Sequence, residues 1–180
     1  SLAMAASGET PPGAAALVPI YAQDPDAGVR EHCCKALGVI AIPPAISVPT
    51  LLARLGDSTD AVAAVAEESL LKLSMRPGEA VIHELVEALG SPSAAIRGAA
   101  ALMLLRCDDR VVVPLAAALG DARGDLAEGA KEVLRQVGLI AAPALIAALE
   151  QPAARRPAAE LLVGLPELPP DQDGVLRALA

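Results

Sequence analysis

The sequence predicts an all-α protein, an α-α superhelix (solenoid) of about five helical hairpins. One observation is that polar turns recur at separations of 33, 34, 30 and 30 residues, marked in order by Asp24, Asp57, Ser91, Asp121 and Gln151. A second is that apolar residues recur at helical spacing between these turns, as at Ile96, Ala100 and Leu104. A regular period of this size is typical of repeat proteins in which each repeat is one supersecondary unit.

Other residues keep the same register relative to these turns. A branched or leucine side chain lies five residues after each of the first four markers, at Val29, Val62, Ile96 and Leu126. A leucine follows eight residues later in each unit, at Leu37, Leu70, Leu104 and Leu134. Before the turns, Pro49, Pro114 and Pro143 share a position that His83 occupies in the third unit, and proline there suits the first turn of a helix. Neither helix of such a hairpin can bury its apolar stripe alone, so stacking is expected to form a continuous core.

Breaks in the apolar pattern set the expected boundaries. Residues 1–13 contain glycine, serine, threonine and a Pro-Pro step, and a flexible lead-in is expected there. The repeat domain is expected over residues 14–165, in units at about 14–42, 45–75, 79–107, 110–138 and 140–165. Residues 166–180 are expected to form a linker and a short C-terminal helix, with Asp171 as its cap.

The repeated pattern resembles HEAT-like repeats (armadillo-like α-solenoids), notably the short type first named from phycobilisome lyases. The residues that carry the resemblance are Val29-Arg30 with Ala36-Leu37-Gly38, and Ile96-Arg97 with Ala99-Ala100. In such repeats the turn acid and the arginine bridge adjacent units, which implies this role for Asp24, Arg30 and Arg97. Alanine replaces the arginine in units two and four, at Ala63 and Ala127, so the resemblance implies an interrupted ladder.

The composition narrows the class of partner. The formal net charge is −8, with 14 basic residues scattered among 22 acidic ones and a single aromatic residue, Tyr21, which argues against nucleic acid as a ligand. No apolar run reaches the roughly 18 residues needed to cross a bilayer, and no secretory signal is recognised at the N-terminus. Three cysteines do not form a disulfide framework, so a reduced, cytoplasmic protein is expected.

Two stretches contain residues that can bind metals or act as nucleophiles. His32, Cys33 and Cys34 are consecutive, and consecutive helical residues point about 100° apart, so they are not expected to converge on one ion. Cys33 aligns with Ala66, Ala100 and Ala130 and is expected to be a buried small residue. His83-Glu84 resembles one of the pairs with which HEAT-like deoxyhypusine hydroxylases bind iron, but a single pair cannot complete a coordination shell. No cofactor or metal is expected, and no catalytic constellation is found.

The remaining candidate is the surface of the second helices, which lines the concave side in solenoids of this kind. One column there holds Lys35, Glu68, Leu102 and Glu132, and a neighbouring column holds Glu31 and Glu128. This gives an acidic-rimmed groove with an apolar centre at Leu102. The groove is interpreted either as a partner site or, more simply, as a solvated helix face. The sequence therefore favours a non-catalytic scaffold that binds a protein or peptide with basic or mixed segments.

Family analogy leaves two alternatives open. One is a lyase- or chaperone-like protein that attaches or handles a chromophore or another prosthetic group. The other is a HEAT-like DNA glycosylase, which the negative charge and the lack of aromatic residues oppose. The identity of the partner and the oligomeric state do not follow from the sequence.

Overall fold

A computed structural model describes residues 14–40, 42–75 and 78–165, and this part of the chain contains helices and turns without a β-strand. The α-helices are α1 (Ala14–Tyr21), α2 (Ala27–Leu37), α3 (Pro44–Arg54), α4 (Asp60–Ser74), α5 (Glu79–Ala88), α6 (Ala94–Arg106), α7 (Val112–Ala118), α8 (Gly124–Val137), α9 (Ala142–Ala148) and α10 (Pro152–Val163). Short 3-10 segments, Asp109–Val111 and Gly138–Ala141, lead into α7 and α9. The predicted all-α class is confirmed for this part of the chain. The expected lead-in (1–13) and C-terminal linker and helix (166–180) lie outside the described residues.

Local sequence signals account for several helix ends. Asp26 caps α2, because its carboxylate accepts hydrogen bonds from the backbone N–H groups of Gly28 and Val29 at 2.7 and 3.2 Å. Proline stands in the first turn of α3, α9 and α10, where a missing N–H costs nothing. Helix α8 ends at Gly138, whose φ of 70° suits a residue without a side chain. Pro49 departs from its expected first-turn position, because α3 already begins at Pro44 and Pro49 lies inside the helix.

The chain divides into two compact units, residues 1–84 and 85–180, with the division inside α5. In the first unit α1 packs on α2 and α3 on α4, and contacts between α2 and α4 and between α1 and α3 join the two pairs. The side chains buried between these helices include Cys34, Val48, Leu51, Val62, Ala66 and Leu70. Each helix therefore buries one stripe against its partner helix and against the neighbouring hairpin.

The second unit is built in the same way. Helix α7 packs on α8 and α9 on α10, while α8 also contacts α6 and α10, and α7 also contacts α9. Its core includes Leu104, Leu115, Leu126, Leu134, Leu145 and Leu162. Two glycines allow close approach: a Cβ on Gly129 would lie 3.0 Å from Leu89 Cβ, and one on Gly120 would lie 3.1 Å from Ala153 Cβ.

The helix starts correct the predicted register of the fifth hairpin. In the first four hairpins the second helix has its N-cap two residues after the turn marker, at Asp26, Thr59, Ser93 and Arg123. In the fifth hairpin the N-cap is Gln151 itself, so the residue equivalent to the earlier markers is Leu149. Gln151 was predicted as the marker because it is the polar residue of that turn. It was the wrong marker because it occupies the N-cap position, two residues after the equivalent of the other markers. With Leu149 as the marker, Ala154 and Leu162 occupy the two apolar columns, and both are fully buried.

Candidate partner-binding surface

An arginine four residues after the N-cap fixes the start of the second helix in three hairpins. Arg30 donates through Nη1 to the backbone carbonyls of Asp24 and Pro25 at 2.8 and 3.0 Å. Arg97 makes the same pair of bonds, to the carbonyls of Ser91 and Pro92 at 2.7 and 3.1 Å. Arg155 donates through Nε to the Leu149 carbonyl at 2.8 Å. This repeated contact supports the corrected register, and it sets the angle at which the outer face of each second helix is presented.

Arg30 also joins two hairpins, as the resemblance implied, although its acidic partner is Asp57 and not Asp24. Its Nε and Nη2 atoms each donate to the Asp57 carboxylate at 2.8 Å, and Asp57 keeps only 3% of its side chain exposed. Arg54 lies 3.3 Å from the same carboxylate. The hydrogen bonds from Arg30 hold the pKa of Asp57 below its usual range, so the pair stays ionised around neutral pH. The bridge fixes α2 beside α4.

A different arginine serves the turn before α8, where Ala127 replaces the column arginine. Arg123 makes a bidentate contact with Glu87, at 2.8 and 3.2 Å, and also donates to Asp121 at 3.0 Å. Hydrogen bonds from Arg123 lower the pKa of Asp121 to about 2. This contact is half exposed, so it positions the turn more than it stabilises the fold.

All six predicted surface residues lie on second helices. Residues Glu31 and Lys35 are on α2, Glu68 is on α4, Leu102 is on α6, and Glu128 and Glu132 are on α8. Five of them are exposed and Glu31 is half-buried. The structure divides them between its two units, with Glu31, Lys35 and Glu68 in the first and the other three in the second. Their assignment to one partner site stays a prediction.

In the first unit the predicted column carries charges of both signs. Glu68 forms an ion pair with Lys72 one turn along α4, at 2.7 Å. The hydrogen bond from Lys72 lowers the pKa of Glu68, and the charge of Lys35 on α2 contributes to the same shift. Lys35 and Glu68 are therefore electrostatic neighbours across adjacent second helices, and this surface is mixed in charge, not acidic.

In the second unit the carboxylates are paired as well. Glu132 contacts Arg135 and accepts a hydrogen bond from Gln136 at 2.9 Å, which lowers its pKa. On the next second helix, Glu160 accepts from Lys131 at 2.8 Å and from Arg156 at 3.2 Å. The prediction of an acidic rim overlooked the partner cations Lys72, Lys131, Arg135 and Arg156. Arg156 and Glu160 stand seven and eleven residues after Leu149, so the corrected register would have added them to the Glu128 and Glu132 columns.

One part of the surface carries no charge. Leu102 exposes 59% of its area in the middle of α6, at a column position that holds a charged residue in every other hairpin. One turn earlier stands Gly98, and a Cβ placed on it would meet nothing within 4 Å. A glycine inside an exposed helix costs about 1 kcal/mol relative to alanine, and no packing contact among the described residues requires its small size. The Gly98–Leu102 surface can therefore admit an apolar side chain, or the backbone of another chain, at close range.

The cysteine and histidine residues form no reactive centre. Cys33 and Cys34 are buried, and Cys33 Sγ donates to the Val18 carbonyl at 3.3 Å. Burial raises the pKa of Cys34 to about 11, which keeps its thiol protonated and unreactive. Nδ1 of His32 lies 2.7 Å from the Gly28 carbonyl of its own helix. Within the described ranges no group of three His, Cys, Asp or Glu side chains is placed to hold a metal ion.

The cavities lined by described residues include two small ones. One, of about 230 Å³, lies between Ala22, Gln23, Pro49, Thr50, Ala53 and Arg54. The other, of about 210 Å³, lies between α8 and α10 and is lined by leucines together with Lys131, Arg135 and Glu160. Both are smaller than the roughly 300–1,000 Å³ typical of sites that enclose a drug-sized ligand.

The chain was compared with family models, curated sequences and solved structures. No protein-family model and no curated protein sequence matches it. It is similar to a crystal structure described as an engineered protein, a Northeast Structural Genomics Consortium target, with 18% identity over 84% of this chain and 78% of that chain and a TM-score of 0.35. A likeness at this TM-score supports no inference about function. None of the helices in residues 14–40, 42–75 and 78–165 combines the length and hydropathy needed to cross a bilayer.

Proposed function

We propose that this chain is a HEAT-like solenoid that acts as a non-catalytic scaffold and binds a protein or peptide on its second helices. The repeated contact of Arg30, Arg97 and Arg155 with the turn carbonyls supports this assignment, because the same local geometry recurs at one position of three hairpins. The packing of second helix on second helix within each unit also supports it. The three free thiols are in keeping with a reducing, cytoplasmic environment.

The observation that carries the proposal is the Gly98–Leu102 surface of α6. An exposed leucine on an otherwise solvated helix face can contribute to partner binding through the apolar area that the partner removes from water, when a space beside it can receive the partner's side chain. Gly98 provides that space, because among the described residues no atom outside the adjoining backbone of α6 and the two neighbouring residues lies within 4 Å of a Cβ built there. We therefore place the centre of the binding site at Leu102.

The charges around this surface define the chemistry of the partner. Glu132 and Glu160 are each paired with basic side chains of this chain, so a partner gains little by adding a cation there. Glu128 takes part in no ion pair among the described residues and remains to receive a lysine or arginine. The best-fitting ligand is a segment with one apolar anchor for Leu102 and a basic residue near it, with the remaining charges of either sign.

An affinity capture from extract of the source cells tests the proposal, with bound proteins identified by mass spectrometry. Three baits are compared: the wild type, Leu102→Asp, and Met75→Asp as a matched control, because Met75 is a 79% exposed apolar residue at the end of another helix. The expected result is a partner retained by the wild type and by Met75→Asp and lost by Leu102→Asp. A partner retained by all three baits would place binding elsewhere on the chain.

A second pair of variants tests the space above Gly98 separately. Gly98→Ala adds one methyl group and favours helix formation, whereas Gly98→Leu fills the space that a partner would use. Both variants should fold, since the Cβ that each adds lies in open space on an exposed part of the helix. The partner should be weakened strongly by Gly98→Leu, and equal binding to wild type and Gly98→Leu would refute this site. A coloured preparation without a protein partner would instead support the chromophore-handling alternative.

A further inference from the structure

The cavity of about 210 Å³ between the C-terminal halves of α8 and α10 has an apolar wall. Four leucines from α8, α9, α10 and the residues that follow α10 form this wall: Leu134, Leu145, Leu161 and Leu165. Gly164, at the end of α10, lines the cavity without contributing a side chain. Helix α10 packs on both α8 and α9, so the wall belongs to the packed core of the second unit.

Charged side chains line the same cavity beside the leucines. Lys131, with 20% of its side chain exposed, donates to Glu160 at 2.8 Å between α8 and α10. Arg135 also lines the cavity and pairs with Glu132, while Arg156 pairs with Glu160. This ion-pair cluster contains three cations and two carboxylates. It is therefore locally positive, although the formal charge of the whole chain is −8.

The two cations that line the cavity keep hydrogen-bond donors for a ligand. The ammonium group of Lys131 has three donors, and Glu160 occupies one of them. The guanidinium of Arg135 has several more than the one that it gives to Glu132. Because Lys131 and Arg135 are four residues apart on α8, their side chains are neighbours on one face of the helix. A carboxylate placed between them can accept charge-assisted hydrogen bonds from both.

We propose that this cavity binds an aliphatic carboxylate of about six to eight carbon atoms, with its chain among the leucines and its carboxylate at Lys131 and Arg135. The volume supports this length, because an apolar cavity of about 150 Å³ accommodates a benzene ring. A free medium-chain fatty acid and the C-terminal leucine of a peptide share this chemistry. An aliphatic amine fits less well, because it would meet two cations and one carboxylate on the lining.

Titration of the isotope-labelled protein with octanoate, followed through amide chemical shifts in NMR spectra, tests this site. Saturable shifts should be largest at Lys131, Leu161 and Gly164, with a dissociation constant of about 1 mM or lower. Octanamide has the same chain without the charge. It should bind about tenfold more weakly, because it cannot form the charge-assisted hydrogen bonds.

Two substitutions locate the ligand within the cavity. Lys131→Met removes the cation and keeps an unbranched side chain, so octanoate should bind about tenfold more weakly while octanamide changes less than about twofold. Gly164→Leu narrows the cavity and should weaken both ligands. It should be tolerated, because the φ of Gly164 is −81° and a Cβ there would lie 3.5 Å from the Leu161 carbonyl oxygen. Arg110→Met is the control, because Arg110 forms an exposed ion pair with Asp108 away from the cavity lining.

Several results would overturn the proposal. The absence of saturable shifts at up to about 10 mM octanoate removes the site. Equal affinities for octanoate and octanamide would show that the cations do not recognise the ligand. Unchanged binding to both Lys131→Met and Gly164→Leu, with each variant shown to be folded by circular dichroism, would place the ligand elsewhere.

A second pair of ligands distinguishes the two sources of the carboxylate. A short peptide ending in leucine is compared with the same peptide carrying a C-terminal amide. Tighter binding of the peptide acid than of octanoate assigns the cavity to a peptide terminus, and the reverse order assigns it to a free fatty acid. Leu102 does not line this cavity, so a failure of octanoate binding leaves the proposed partner site at Leu102 unaffected.

Discussion

Leu162 provides the sharpest test of the register of the fifth hairpin. With Leu149 as the turn residue, Leu162 is equivalent to Leu37, Leu70, Leu104 and Leu134, and it has no exposed surface. With Gln151 as the turn residue, the equivalent position is Gly164, and Leu162 would lie eleven residues after the marker, in the exposed column of Leu102. The two registers therefore predict opposite consequences for truncating this one side chain.

The cost of Leu162→Ala follows from its burial. The substitution removes three carbon atoms, worth about 0.8 kcal/mol each when fully buried, or about 2.4 kcal/mol. A residual cavity of roughly 25 Å³ adds about 0.6 kcal/mol, because cavities cost about 24 cal/mol per Å³. The free energy of unfolding should therefore fall by about 3 kcal/mol. At a denaturant dependence of about 2 kcal/mol per molar urea, the unfolding midpoint should drop by about 1.5 M.

Equilibrium unfolding in urea, followed by far-ultraviolet circular dichroism, measures this change. Leu102→Ala is the matched control, because it removes the same atoms from a residue that is 59% exposed. It should cost less than about 0.5 kcal/mol. Leu104→Ala, in the third hairpin, should cost about as much as Leu162→Ala. A loss below about 1 kcal/mol for Leu162→Ala, or equal losses for Leu162 and Leu102, would refute the corrected register.

Two further predictions concern the contact between α2 and α4. Asp57→Asn should lower the melting temperature at neutral pH. A carboxyl whose pKa is depressed in the native state stabilises the fold above its unfolded pKa of about 3.9, and this contribution is lost as the pH falls through the lower native value. The difference in melting temperature between wild type and Asp57→Asn should therefore shrink below about pH 4, and a difference that stays constant down to about pH 2 would contradict the Arg30–Asp57 pair. Gly38→Ala should cost about 1–3 kcal/mol, because its Cβ would lie 2.7 Å from Ser69 Oγ and 2.8 Å from Ser69 Cβ. Urea unfolding should show that Ser69→Gly partly restores the stability lost in Gly38→Ala. Gly56→Ala is the control and should cause no comparable loss of stability, because the space there is open. Equal losses for Gly38→Ala and Gly56→Ala would show that the contact with Ser69 is not tight.

The helices could be predicted because each rests on local signals. The apolar period, the turn residues and the column leucines together predicted the third unit at about 79–107, and its two observed helices, Glu79–Ala88 and Ala94–Arg106, lie within those bounds. The error in the fifth hairpin has a local cause as well. A polar residue near a turn can be either the turn marker or the helix cap, and Gln151 is the cap. The observed helix start, the burial of Leu162 and the bond from Arg155 to the Leu149 carbonyl distinguish the two.

One ion pair of the second helices was harder to predict because its partners are distant in sequence. Lys131 and Glu160 are separated by 29 residues and meet only because α8 packs on α10. Glu132 has its partners on its own helix, at Arg135 and Gln136. Residues three and four positions apart on a helix are neighbours, and the prediction of an acidic groove did not use this spacing. The six candidate residues were placed on the expected helices, but the sign of the surface they form depends on these cations.

Helices α7 and α9 show where apolar periodicity stops being informative. In a helix with a polar side, the pattern itself identifies which residues are outside. In VVVPLAAAL and LIAAPALIAAL every position is apolar, so Val113 and Ile140 are indistinguishable in the sequence from the core residues beside them. The absence of charge over two adjacent helices was nevertheless a signal, because a helix that is hydrophobic all round is normally buried on all sides. Among the described residues the two helices are covered on one side only, which leaves Val113 and Ile140 exposed although the sequence is apolar all round.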